Sequence, residues 1–213
     1  IIGVGLMYQM TGTLNISDLA ERIPDVASTK TILISIGFIT VGIGLKLGLF
    51  PLHVWLPNAY AYAPSVVTAF LAATATKVAV YALLRVYFSI FGVDVFSALP
   101  IAEFLLILGL IAILSMSTVA IYQNNTKRLL AYSSVAQVGY MVIGISMLTI
   151  TGLTATILHL FNHALIKGAL FLALAAVFYR IKSVKVEDMA GLGKAMPYTM
   201  AAFVAAGFSL IGV

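Results

Sequence analysis

The sequence contains no cysteine and few charged residues, and each absence excludes a class of protein. Without cysteine there is no disulfide framework, no thiolate metal site and no redox thiol. Charged residues make up 9% of the 213 residues and hydrophobic residues 62%, whereas soluble domains contain about 25% charged and about 45–50% apolar residues. A net charge of +5 does not indicate nucleic-acid binding, because so apolar a chain has no solvated basic face. The composition predicts an integral membrane protein.

Long apolar stretches recur along the chain, and each is long enough to cross a bilayer as a helix, which takes about 20 residues. The short alternating segments of a β-barrel are absent. We predict an all-α, polytopic transmembrane bundle, with one membrane domain over 1–213. No initiator Met is present and both ends are apolar, so we expect a fragment of a longer protein. The predicted helices cover 1–10 (an end), 31–50, 64–89, 101–122, 129–150, 152–179 and a start from 197, with connecting segments at 15–24, 91–100, 124–126 and 180–197.

The basic residues of the predicted connecting segments are unevenly divided between the two sides. One side carries Lys127 and Arg128, together with the loop from Arg180 to Lys194, and the other side carries Arg22 and Lys30. Lysine and arginine are enriched in cytoplasmic loops. We therefore predict a multi-pass protein of the cell (inner) membrane, with the first group of loops in the cytoplasm.

The ionisable residues within the predicted helices are all basic. Acidic residues occur only in loops or at helix ends, whereas three lysines lie in three apolar windows, at Lys46, Lys77 and Lys167. A charged side chain at the bilayer centre costs at least about 2.5–3.5 kcal/mol, so three of them would offset most of a domain's net stability. These lysines are therefore expected to face a polar interior, to be partly neutral, or both.

The first lysine stands beside a predicted helix break in "GLKLGLFPLHVWLPNAYAYAP", residues 44–64. Pro51 has no N–H and its ring clashes with the carbonyl of Leu47, and Pro57 follows, so the helix is expected to break here. Irregular backbone at membrane depth is tolerated only inside protein or along a wet cavity. Lys46 is thus predicted to be a charge site on an ion path, although a lysine at a helix end also snorkels. His53 either supports the opening or is an interfacial histidine.

The second lysine, Lys77, lies near the middle of its window, in "APSVVTAFLAATATKVAVYALLRV". It is too far from either end to reach the membrane surface easily. Thr74, one turn earlier, is placed to hydrogen-bond water or the ammonium group. Lys77 is predicted to face the interior of the bundle.

The third element is "HLFNHALIKGALFLAL", in which His159, His163 and Lys167 follow one another at intervals of four residues. Such residues drift by only about 40° per step, so they line one face of a helix. Two histidines and a lysine without carboxylate or cysteine partners make a poor metal site, and we predict neither a metal nor another cofactor. Coupled, buried lysines and histidines can exchange protons near neutral pH, and a proton relay is the better interpretation.

Four segments, taken in their order along the chain, resemble one protein family: "KLGLFPLHVWLPNAYAYAP", "TKVAVYALLR", "NTKRLLAYSSVAQVGYMVIGI" and "HLFNHALIKGALFL". Together they resemble the antiporter-like, proton-conducting subunits shared by respiratory complex I, membrane-bound hydrogenases and Mrp-type Na⁺/H⁺ antiporters. The resemblance covers nearly the whole chain. Asn58 stands where the quinone-reductase subunits often have Asp, so the chain resembles the Mrp and hydrogenase types more closely.

The resemblance implies a fold of about 14 helices with two inverted repeats, each with a broken helix, of which this chain would supply the end of the sixth to the start of the twelfth. The resemblance implies that Lys46 is the family's broken-helix lysine and that Lys77 is the central lysine of the next helix. It implies that His163 and Lys167 belong to the family's His-Ala-x-x-Lys helix, which His159 matches less closely. The glutamate that pairs with Lys46, and the exit-side residue, would lie outside this sequence. It further implies proton or Na⁺/H⁺ translocation with other membrane subunits as partners.

Several alternatives stay open at this point. No redox or hydrolytic site is apparent, so the chain has no predicted catalytic residue, and whether it serves an oxidoreductase such as complex I or an ion exchanger is undecided. It could also be a structural subunit with vestigial lysines, or an unrelated secondary transporter whose broken helix marks a substrate site.

Overall fold

The computed structural model describes residues 1–212, and this part of the chain is helical without strands. Five helical stretches are long and apolar enough to cross a membrane, at Lys30–Leu47, Ser65–Ser97, Ile101–Ile121, Thr126–Ser146 and Ile150–Ile181. The predicted all-α transmembrane bundle is confirmed. The α-helices are α1 (Ile2–Thr11), α2 (Ile16–Val26), α3 (Lys30–Leu47), α4 (Trp55–Tyr62), α5 (Ser65–Phe70), α6 (Thr76–Leu84), α7 (Gly92–Ser97), α8 (Ile101–Ile121), α9 (Thr126–Ser146), α10 (Ile150–Ile181), α11 (Leu192–Ala195) and α12 (Pro197–Ile211).

The connecting segments contain more helix than the sequence predicted. The segment 15–24 forms most of α2, because Asn15 caps the helix by accepting a hydrogen bond from the Ser17 N–H at 2.9 Å, and Leu19 and Ile23 bury one face. The predicted connector 91–100 likewise contains α7, and the segment 180–197 contains α11 together with a 3₁₀ turn, Glu187–Met189. These short helices cover the ends of the spanning helices.

The second spanning stretch, Ser65–Ser97, is one helical run that widens twice. Its α-helical parts are joined by π-helical segments at Leu71–Ala75 and Arg85–Phe91. A π-helical turn loosens the regular hydrogen-bond ladder of the helix and is frequent at functional sites. The first of these segments comes just before Lys77, so the widened turn lies beside that lysine.

Helices α3 and α4 are separated by the helix break, residues 48–54. Helix α3 ends at Leu47 because Gly48 takes the left-handed conformation (φ 76°) and the Leu49 N–H bonds the Gly44 carbonyl at 2.8 Å. A Cβ on Gly48 would lie 2.7 Å from Leu56 Cδ1, so glycine is required for both conformation and space. The break contains Pro51 and His53, but Pro51 comes after the helix has already ended.

Pro57 does not break a helix, contrary to the prediction. It lies in the first turn of α4, where a missing backbone N–H leaves no bond unmade. The helix break is therefore set by Gly48 at its start and closes before Pro57.

Two loops predicted to lie on one side of the membrane are joined in the structure. The Thr126 N–H donates to the Val184 carbonyl at 2.9 Å, and the Val186 N–H donates to the Asn124 carbonyl at 3.0 Å. The loop before α9 and the loop after α10 therefore lie on the same side. That this side is cytoplasmic stays a prediction.

Candidate functional site: a buried basic cluster

Lys167 is the most deeply buried cation of the described chain. It lies on α10 with none of its surface exposed, and its Nζ donates to the Leu130 carbonyl of α9 at 2.9 Å and to the Ser133 hydroxyl. Both partners can accept a hydrogen bond from an ammonium group, and neither carries a charge. Lys167 is thus held across the interface between two helices without a counter-ion among residues 1–212.

Ser133 is a partner that the sequence interpretation missed. Its hydroxyl also lies 3.1 Å from the Leu130 carbonyl, within the same helix. A hydroxyl both donates and accepts hydrogen bonds, so Ser133 can bond Lys167 in either protonation state of the lysine. The pair of serines in "AYSSVAQ", inside an apolar helix, was the available signal.

Lys77 is buried on the neighbouring helical run, with 5% of its surface exposed. Its Nζ donates to the Ala72 carbonyl, which belongs to the π-helical segment Leu71–Ala75. Thr74 does not bind it, since the Thr74 hydroxyl donates instead to the Phe70 carbonyl at 2.8 Å. The widened turn therefore supplies the partner for Lys77 from within its own helix.

The helical segments that hold Lys77 and Lys167 pack against each other, since α10 contacts both the π-helical segment Leu71–Ala75 and α6. A Cβ on Gly168, next to Lys167, would lie 3.5 Å from the Cβ of Ala73, so the two backbones approach closely here. The structure thus brings together residues that are about ninety positions apart in the sequence.

His163 lies one turn before Lys167 on α10 and is fully buried. Neither of its ring nitrogens has a hydrogen-bond partner within residues 1–212. Buried polar groups are nearly always bonded to protein or to ordered water. The His163 imidazole therefore has hydrogen-bonding capacity that no residue among 1–212 takes up.

His159 extends this row towards a cavity. Its ring stacks on the ring of His163 with centroids 5.8 Å apart and planes inclined by 6°. It also lines a cavity of about 900 Å³ between α9, α10 and α12, where Tyr140, Gln137 and Asn162 supply further polar groups. We call Lys77, His159, His163 and Lys167 the basic cluster.

Lys46 is not part of the basic cluster. It lies in the last turn of α3, its side chain is exposed, and it forms no hydrogen bond within residues 1–212. A cation in this position is favoured by the negative end of the helix dipole. The predicted association of Lys46 with the other lysines stays a prediction.

His53 packs inside the helix break. It is buried, its ring stacks on Phe50 with centroids 5.4 Å apart, and it meets Tyr132 of α9 edge-on at 6.5 Å. These contacts pack the break against α9, and the predicted role of His53 in supporting the opening stays a prediction. Direct proton handling by His53 stays a prediction.

Comparisons with known proteins all indicate the same family. The family described as NADH:quinone oxidoreductase/Mrp antiporter, TM, matches residues 1–213. The chain is 44% identical to NADH-quinone oxidoreductase subunit N of Desulforudis audaxviator, over all of this chain and 42% of that protein. It is 34% identical to a Na(+)/H(+) antiporter subunit of Alkalihalophilus pseudofirmus, over all of this chain and 43% of the relative.

A solved structure shows the same arrangement of helices. The chain superposes with a TM-score of 0.92 on a chain of the membrane-bound sulfane sulfur reductase, an archaeal respiratory membrane complex, at 32% identity, covering all of this chain and 43% of that one. The chain thus spans less than half the length of these relatives. Since relatives of both the quinone-reductase and the antiporter kind match, the closer likeness to the Mrp type stays a prediction. The chain belongs to the NADH:quinone oxidoreductase/Mrp antiporter family of membrane subunits.

Proposed function

We propose that this chain forms part of a proton-translocating subunit in a multisubunit membrane complex, and that the basic cluster carries the proton. The observation that supports this most directly is the position of Lys167. A fully buried lysine with only neutral partners is expensive to keep in a membrane helix, and a role in carrying protons accounts for its presence. The family membership removes the alternative of an unrelated transporter.

The proposed relay has an order, which the burial and the free ring nitrogens of its members support. Lys77 and Lys167 are the two proton-holding groups, and His163 with water joins them, because its ring nitrogens are buried and unbonded within residues 1–212. Ser133 bonds Lys167 before and after the transfer. His159 faces the cavity and is the group through which protons enter or leave this row.

Lys46 joins the proposed path at the helix break. Its exposed side chain at the end of α3 is free to meet an acidic partner, as the family resemblance implies. Moving one charge across the bilayer is worth about 2.3 kcal/mol per 100 mV, so each transfer must be coupled to a driving reaction or to a second ion gradient. A change in the charge around Lys46 would alter the field on Lys77, and that field change is the proposed coupling.

The test is Lys77→Ala in the whole complex, reconstituted into lipid vesicles. Proton flux is followed with a pH-sensitive dye and sodium flux with a radioactive tracer. We expect the proton flux to fall by about 10²-fold, as for the loss of a group that transfers a proton. The matched control is Lys30→Ala, since Lys30 is exposed at the start of α3.

Each result decides between defined alternatives. Wild-type proton flux in the Lys77→Ala complex would leave only the structural role for this chain. Loss of proton flux together with sodium flux would identify an exchanger, whereas loss of proton flux in a complex that never carries sodium would identify a pump without sodium coupling.

A further inference from the structure

Lys127 is a buried cation that the proposed relay does not use. The sequence places it among loop charges, yet it lies in the first turn of α9 with only 5% of its surface exposed. Its Nζ donates to the Ala63 carbonyl at 3.0 Å and lies 5.8 Å from the centre of the Phe178 ring. A buried charge is costly unless specific partners offset the cost, so these contacts need an explanation.

Lys127 contacts the carbonyl of the residue that ends α4, the helix that follows the helix break. Ala63 directly follows α4 and has extended backbone. The Thr68 hydroxyl lies 3.3 Å from the same carbonyl. The Ala63 carbonyl lies outside α4 and has no partner within that helix, so the Lys127 ammonium group bonds the residue that ends α4 to the first turn of α9.

The same part of α9 contacts the helix break again and also holds the relay lysine. Tyr132 meets the His53 ring edge-on, while the Leu130 carbonyl and the Ser133 hydroxyl accept hydrogen bonds from Lys167. From residue 127 to residue 133, an α-helix rises only about 9 Å. One rigid stretch of less than two turns therefore contacts both regions.

We propose that Lys127 is a positioning residue that fastens α4 to α9 and so keeps the helix break in a fixed position relative to Lys167. The ammonium group joins the two helices at Ala63, and the rigid helix extends that constraint to Leu130 and Ser133. This inference rests on the proposed function for its effect on transport, but the constraint on α4 is a structural property that is measured separately.

The experiment places a spin label at position 62, the last residue of α4, where Tyr62 is exposed. Tyr62→Cys is labelled in the whole complex, in a background without other reactive cysteines, and the mobility of the label is read from its electron paramagnetic resonance spectrum. Lys127→Met, which preserves length and apolar bulk, is expected to increase that mobility and to reduce proton flux by about tenfold. Lys127→Arg is expected to restore both, because it keeps a charged donor.

The matched control is Lys182→Met, which removes the same charge from an exposed lysine on the same side of the bundle. It is expected to change neither readout. An unchanged label spectrum at position 62 in Lys127→Met would overturn the proposal, and so would an equal change in Lys182→Met.

If Lys127→Met does not assemble, Lys127→Ser serves as the second variant. Its polar side chain is too short to reach the Ala63 carbonyl that the Lys127 ammonium group contacts, and an unchanged label spectrum there would also overturn the proposal. A failure of the proposed function is distinguishable: it would appear as wild-type proton flux in Lys77→Ala while the label at position 62 still responds to Lys127→Met.

Discussion

The helix break and the basic cluster both place polar groups inside an apolar bundle, but they satisfy those groups in different ways. In the break, the backbone partners are local, while the buried Nδ1 of His53 has no hydrogen-bond partner within residues 1–212. The Leu49 N–H bonds the Gly44 carbonyl, and the Trp55 indole N–H donates to the Leu45 carbonyl at 2.8 Å. These backbone groups thus find their hydrogen-bond partners close by in the sequence, and Lys46 is left exposed beside the break.

In the basic cluster, the partners come from other helices or from a distorted turn. Lys167 depends on α9, Lys77 depends on the π-helical segment, and His163 has no protein partner within residues 1–212. Spare hydrogen-bonding capacity next to two buried cations suits a relay, in which partners must change. The difference predicts that substitutions in the basic cluster reduce transport, whereas substitutions in the break mainly reduce stability.

The largest effect is expected from Lys167→Met. The substitution keeps the length and apolar stem of the side chain and removes the proton-holding group, so proton flux in reconstituted vesicles should fall by about 10²-fold. Replacing a buried charge by an apolar group of similar size is often neutral for stability, and the complex should therefore still assemble. Size-exclusion chromatography checks this, with Lys194→Met as an exposed control. Transport near the wild-type level would remove Lys167 from the relay.

A smaller effect on transport is expected from Ser133→Ala. It removes one of the two hydrogen bonds to Lys167, and bonds to charged groups contribute about 1.5–3 kcal/mol, which corresponds to roughly tenfold or more in rate. Ser146→Ala is the control on the same helix, since the Ser146 hydroxyl donates to the Ile143 carbonyl of α9, which Lys167 does not contact. Equal flux in the two variants would contradict a role for Ser133 in the relay.

In the break, Gly48→Ala should reduce stability. The left-handed conformation costs an L-residue about 1–2 kcal/mol, and the new Cβ would also press on Leu56. The fraction of complex that survives heating, measured by fluorescence-detected chromatography, should fall. Gly42→Ala is the control, because it lies within α3 with open space around it and should be neutral or stabilising. If the Gly48→Ala complex were as heat-resistant as that control, a glycine in the left-handed conformation would not be needed to end α3.

The sequence was sufficient to predict the bundle and the cost of its buried cations. Apolar windows of about 20 residues are long enough to cross a bilayer as helices, and Lys77 lies too far inside its window to reach the membrane surface easily. The spacing of His159, His163 and Lys167 also fixed their common face. These predictions depend only on local geometry and on the cost of charge in lipid.

The errors came from partners that are distant in sequence or from competing local signals. Lys127 looks like a loop charge next to Asn125, and only the Ala63 carbonyl, 64 residues away, reveals its burial. Pro51 appeared to break α3, but Gly48 ends the helix first. Ser133 was overlooked because serine also occurs in apolar helices without a role beyond bonding its own backbone.

The smallest effect is expected from Trp55→Phe, at the first residue of α4 beside the helix break. The substitution keeps an aromatic ring and removes the indole N–H that donates to the Leu45 carbonyl. A neutral hydrogen bond contributes about 0.5–1.5 kcal/mol, and this one is exposed, so the loss should lie at the lower end of that range. Heat resistance should fall slightly while proton flux stays within about twofold of wild type, since the basic cluster is untouched. If flux fell as far as in Ser133→Ala, the backbone of the break would have to be counted as part of the proton path.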